Sequence, residues 1–243
     1  MQHGNAAAEA VEAPNNHAAV AALIAGAAAA AGAILAVFAP STGHAVTQHP
    51  LAFVGFLAAA AFLQLRVIQV PEQGTVSFAS TGMLAAAFAL GIGPGMCVAA
   101  TAGAVRFVAA RGRLDRAIFD VANLSLATAT AAATYHVVGV LDQQPGDRFG
   151  PSLFAATFFF LVNVGLLSVA MGLTEGESPW TVCRRRLLWT APWALAAGPF
   201  AAVMVVVYEQ IGFLGIVALA IAPGALVAPV RRYTHFGRED EPS

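Results

Sequence analysis

The side chains that could act chemically are few, and the densest set lies in one apolar stretch. Asp120, Asn123, Thr130 and Thr134 fall at i, i+3, i+10 and i+14, with Ala127 at the missing i+7. On a helical period these positions share one face, forming a small or polar stripe. A charged or amide side chain in a membrane helix faces protein or a water-filled cavity rather than lipid. The stripe therefore suits a ligand or ion pathway with Asp120 as its acid. It suits packing better, since threonine and asparagine commonly hydrogen-bond between membrane helices, and packing is the preferred reading. Asn163, in the next apolar stretch, is the expected partner of Asn123, because a buried amide without one leaves several polar groups unsatisfied.

Asp120 is placed at the start of its helix, where a carboxylate favours the positive end of the dipole. Arg106 ends the preceding segment on the same side. An Asp120 to Arg106 ion pair is expected to close the hairpin between them, in a structural rather than catalytic role. The chain's 12 basic residues are all arginine. Lysine amine chemistry, whether a Schiff base or a P-loop lysine, is thereby excluded. Cys97 and Cys183 have no CxxC spacing, and the six histidines are scattered. His44 and His49 would bind a metal only if the fold brought them together, and His136 beside Tyr135 reads as an interfacial aromatic pair. No HExxH, GxSxG or GxxxxGKS/T pattern occurs. No catalytic residue, metal or cofactor is expected, and the chain is read as a non-enzyme.

The elements that must hold these residues are membrane helices. Of 243 residues, 58% are apolar before the 23 glycines are added, and 10% are charged; a soluble domain carries about 25% charged residues. The expected class is all-α, a polytopic helix bundle with eight hydrophobic segments: Ala18 to Phe38, Leu51 to Val70, Val76 to Ile92, Pro94 to Ala110, Ala117 to Gly139, Ser152 to Leu173, Leu188 to Glu209 and Ile211 to Val230. The third and fourth, joined through Gly91 to Gly95, are two tight crossings or one re-entrant hairpin, giving seven or eight spans or six. The first segment is read as a retained helix rather than a signal peptide, because its flank is acidic. Residues 1–17 read as a disordered tail, 18–230 as the bundle and 231–243 as a short tail. No connection is long enough to build a soluble catalytic domain.

Cytoplasmic loops keep arginine and short exported loops avoid it. Alternate sides give one face Arg66, Arg106, Arg111, Arg113, Arg116, Arg184, Arg185, Arg186, Arg231, Arg232 and Arg238, and leave the other Arg148 alone. Those eleven define the cytoplasmic side of a plasma (inner) membrane, with the C-terminus inside. Ser178-Pro179-Trp180 reads as an N-cap with proline at the first helical position. With Arg184 to Trp189 it forms a basic, aromatic stretch along the headgroups, or a protein-docking surface. Gly95, Ala99 and Gly103, and Gly165, Ser168 and Gly172, form small-residue seams.

The order of Val70-Pro71-Glu72-Gln73-Gly74-Thr75-Val76-Ser77-Phe78, Gly91-Ile92-Gly93-Pro94, Phe119-Asp120-Val121-Ala122-Asn123-Leu124, Leu161-Val162-Asn163 and Tyr208-Glu209-Gln210-Ile211-Gly212, ending at Arg231-Arg232-Tyr233, resembles bacterial multi-helix membrane input domains. In that family the bundle usually precedes an HD or GGDEF signalling domain. The resemblance covers roughly Leu51 to Tyr233. It implies a sensory or regulatory module, and because the sequence ends at Ser243 the expected output is a separate signalling protein at the cytoplasmic face. The family more often shows Phe-Asn where this chain has Phe119-Asp120. From Val76 onward the chain is also similar to the vitamin-binding subunits of energy-coupling-factor transporters, which implies small-molecule uptake instead. A scaffold without a ligand is the third reading. The expected partners are the lipid bilayer, that separate protein and, left open, a small molecule; a nucleic acid is not expected.

Overall fold

A computed structural model describes residues 16–70, 74–141 and 148–221, with 67–76 and 140–141 described in their backbone. The tail at residues 1–15, Pro71 to Gln73, the end of the eighth segment and Arg231, Arg232 and Arg238 lie outside the described residues. Five helices are long and apolar enough to cross a membrane: His17–Gln48, Ile92–Ala110, Leu114–Gly139, Phe149–Glu175 and Pro179–Ile211. The shorter apolar helices Pro50–Leu65 and Ala79–Leu90 join them.

In chain order, α1 is His17–Gln48, α2 Pro50–Leu65, α3 Ala79–Leu90, α4 Ile92–Ala110, α5 Leu114–Leu141 and α6 Phe149–Glu175. A single turn, α7 (Pro179–Val182), runs through a π turn (Cys183–Leu187) and a 3-10 turn (Leu188–Thr190) into α8 (Ala191–Ile211). Residues 213–221 are helical again. Between α2 and α3, strands β1 (Val67–Val70) and β2 (Gly74–Ser77) pair antiparallel, with Val67 opposite Ser77 and Val70 opposite Gly74.

That hairpin corrects two expected segments. Helix was expected through Val70 and again from Val76, but α2 stops at Leu65 and α3 starts at Ala79. The valine-rich run suits a strand as well as a helix. Ser77 fixes both junctions: its hydroxyl lies 3.2 Å from the Leu63 carbonyl and accepts the Ala79 N–H at 3.1 Å. Each strand keeps an open edge, which is costly in hydrocarbon, so the hairpin belongs at the end of the bundle. The 16 residues of α2 and 12 of α3 rise about 24 and 18 Å. Of the pair expected as two crossings or a re-entrant hairpin, α4 is long enough to cross and α3 is not. They meet at Gly91, whose φ of +96° favours glycine.

The first helix was expected to end at Phe38 but continues through Pro40 to Gln48. The hydroxyls of Ser41 and Thr42 donate to the Phe38 carbonyl at 2.9 and 2.7 Å, while the carbonyl that Pro40 deprives of its N–H partner is that of Ala36. The fifth helix starts at Leu114, earlier than expected, so Asp115 rather than Asp120 occupies its first turn.

Most of the buried apolar residues are alanine, with Phe56, Leu63, Leu84, Met96, Met204 and Ile216 as the largest side chains fully enclosed among them. Ala60, Ala86, Ala99, Ala131 and Ala155 are fully buried, whereas Phe154, Phe158, Leu161, Phe200 and Leu214 are exposed. Small residues let membrane helices approach closely, and the outward apolar band is what lipid would cover. Cβ atoms at Gly95, Gly103 and Gly172 would fall 2.6 Å from the Ala87 Cβ, 2.9 Å from the Val121 Cγ2 and 2.7 Å from the Glu177 carbonyl. The expected seam on α6 is incomplete, because Gly165 faces open space.

Candidate functional site

The α5 stripe turns inward, and its polar groups are largely satisfied by the bundle. The Asn123 amide donates to the Asn163 side-chain oxygen at 2.8 Å and to the Asn163 carbonyl at 3.2 Å, tying α5 to α6. Thr130 and Thr134 donate to the carbonyls of Leu126 and Thr130, one turn back on their own helix, each at 2.9 Å. Arg106 and Asp120 form the expected pair, with Nε and Oδ2 3.9 Å apart and side chains 47% and 16% exposed. This is a loose contact between α4 and α5. Ser125 and Thr128, which lie off the stripe, are also buried. The Ser125 hydroxyl is 3.4 Å from the Met96 carbonyl, while the Thr128 hydroxyl and the Asn123 Oδ1 have no partner among the described residues.

Charge is sorted between the two ends of the bundle. At one end, α5 finishes, α6 begins and α8 closes at Gly212. There Arg148 binds Glu209 at 2.8 Å. That hydrogen bond holds the Arg148 guanidinium above its ordinary range against the opposing effect of burial, with the charge of Glu209 and then the Tyr135 phenol adding to it. Tyr135 stacks on Phe88 with centroids 3.9 Å apart, His136 lies edge-on to Tyr135, and Phe56 packs edge-on against Tyr208. The pairing of Arg148 with Glu209 joins residues distant in sequence. Its available signal was that both fall at the same water boundary.

The opposite end holds the α4–α5 and α6–α7 turns and the π turn. Arg113 pairs with Asp115 at 3.0 Å, and Arg186 with Glu175 at 2.7 Å and Glu177 at 3.9 Å. Arg111, Arg116, Arg184 and Arg185 are exposed, and none of them makes an ion pair among the described residues. Arg111 closes α4 with a φ of +48°. Arg66 lies over the Phe62 ring, 5.0 Å from its centroid. Ser178 and Pro179 take the expected N-cap and first-turn positions, although the Ser178 side chain makes no capping bond. Trp180, Thr181, Arg184 and Arg185 line an open recess of about 470 Å³.

Cys97 and Cys183 are partly buried free thiols. His44 lies within α1 and His49 caps it. Among the described residues no three histidine, cysteine, aspartate or glutamate side chains gather as metal ligands. The chain matches no protein-family profile, and no curated protein or solved structure is similar enough to be matched to it.

Proposed function

We propose that the chain is a multi-pass plasma-membrane input module, without catalysis of its own, that acts on a separate partner through an arginine-rich cytoplasmic face. In this reading all eight hydrophobic segments contribute to the membrane domain, with the hairpin between α2 and α3 lying at its end. The observation that carries the proposal is the sorting of arginine: Arg148 is neutralised on Glu209 at one end, and Arg111, Arg116, Arg184 and Arg185 stand exposed without ion pairs among the described residues at the other. Retained arginine marks the inner side, and unneutralised guanidinium groups favour contact with acidic or phosphate-bearing partners. The interior amides and hydroxyls support packing over ligand recognition, because Asn123, Asn163, Thr130 and Thr134 bond to each other or to their own backbone.

A photo-crosslinking amino acid at Arg111 or Arg116, tested in cells, should give one discrete adduct with a cytoplasmic protein, and the same probe at Gln210 should not. Identical adduct patterns from both ends would contradict the proposal. A vitamin-like compound retained through purification, seen by mass spectrometry, would favour the uptake-subunit reading.

A further inference from the structure

We propose that the recess lined by Trp180, Thr181, Arg184 and Arg185 seats the phosphate of an anionic phospholipid. The assignment of that lipid to the inner leaflet rests on the orientation proposed above; the seat itself does not.

The local charge decides which arginines are available. Of three consecutive arginines, Arg186 alone pairs with Glu175 and Glu177. Arg184 and Arg185 are left without an acid among the described residues. The turn from Cys183 to Leu187 is π-helical, wider than an α turn. Successive side chains are therefore separated by a smaller angle, and Arg184 and Arg185 share one recess with Trp180 and Thr181. The Thr181 hydroxyl adds a donor. Two arginines and a hydroxyl match the several acceptor oxygens of a phosphodiester.

Depth selects a lipid over a soluble anion. The 21 residues of α8 rise about 31 Å, close to the roughly 30 Å hydrocarbon thickness of a bilayer. Glu209 near its far end is paired with Arg148 at one boundary. The π turn just before its near end then falls at the opposite headgroup layer. Trp180 is 72% exposed, and Leu188, at the start of the 3-10 turn, and Trp193, just after it, are exposed as well. Tryptophan and arginine are suited to that layer, where an apolar body meets lipid and a polar tip meets phosphate.

The test uses the full chain in detergent micelles carrying equal phosphatidylglycerol and phosphatidylcholine, with retained lipids counted by native mass spectrometry. The unmodified protein should hold phosphatidylglycerol about tenfold over phosphatidylcholine. Arg184→Gln with Arg185→Gln should bring the ratio to parity, and Arg111→Gln with Arg116→Gln should leave it unchanged. Parity in the unmodified protein, or equal loss in both double variants, overturns the proposal. Displacement of the lipid by millimolar inorganic phosphate also overturns it, because the seat would then take a free anion. If the first double variant fails to elute as a single species, Arg185→Gln alone is judged by the same criteria. Because the measurement is made in micelles, its outcome is independent of which way the bundle faces.

Discussion

The Asn123 to Asn163 contact is the best-defined polar link between helices in the interior, and it sets a clear energetic expectation. Removing one amide leaves the other, Asn123 buried or Asn163 half-buried, without its partner, at a cost of about 1 to 3 kcal/mol. Asn123→Leu and Asn163→Leu should each lower the melting temperature in detergent. The double variant should be less destabilised than the sum of the singles, with a coupling of about 0.6 to 2 kcal/mol. Additive losses would show that the two amides do not act as a pair. The Arg106 to Asp120 contact predicts a smaller effect. At 3.9 Å, with Arg106 half exposed, it should contribute under about 1 kcal/mol. Exchanging the two charges should recover whatever stability either single charge reversal loses. A double swap no better than the singles would remove the pair from the account.

At the scale of elements, the closeness of the helices rests on particular glycines rather than on glycine content. A Cβ at Gly198 in α8 would strike the Ser152 carbonyl and lie 2.7 Å from the Ala156 Cβ on α6, whereas one at Gly165 would meet nothing within 4 Å. Gly198→Ala should therefore destabilise the bundle by about 1 to 3 kcal/mol. Gly165→Ala should be neutral or add up to about 1 kcal/mol, since alanine is the better helix former. Thermal melts in one detergent distinguish the two, and equal losses would contradict the packing described. The same contrast explains what was legible in the sequence. The α5 face followed a helical period, so the inward turn of Asp120, Asn123 and Thr134 could be read directly. The strands at 67–77 could not, because a short valine-rich run satisfies either period. The continuation of α1 past Pro40 to Gln48 runs into a more polar stretch, with Ser41, Thr42, His44, Thr47 and Gln48, which a search for apolar segments does not enter. Thr128 lies off the polar stripe and gave no periodic signal, and the π turn has no sequence signature that separates it from an α turn.

At the scale of the molecule, the governing feature among the described residues is an alanine-rich interior and a large apolar exterior, with arginine sorted between the ends. Composition and segment length made the membrane class readable, because both depend on local sequence alone. The pairing of Arg148 with Glu209 was hidden, since it needs the start of α6 and the end of α8 to lie side by side. Orientation is the claim on which the proposed cytoplasmic face depends, and cysteine accessibility measures it most directly. In a protein with Cys97 and Cys183 replaced by alanine, single cysteines at Gly112, Ser178 and Gln210 are challenged with a membrane-impermeant maleimide in intact spheroplasts and in inverted vesicles. The account predicts labelling of Gln210→Cys in spheroplasts only, and of Gly112→Cys and Ser178→Cys in inverted vesicles only. Labelling of Gly112→Cys or Ser178→Cys in intact spheroplasts would contradict it.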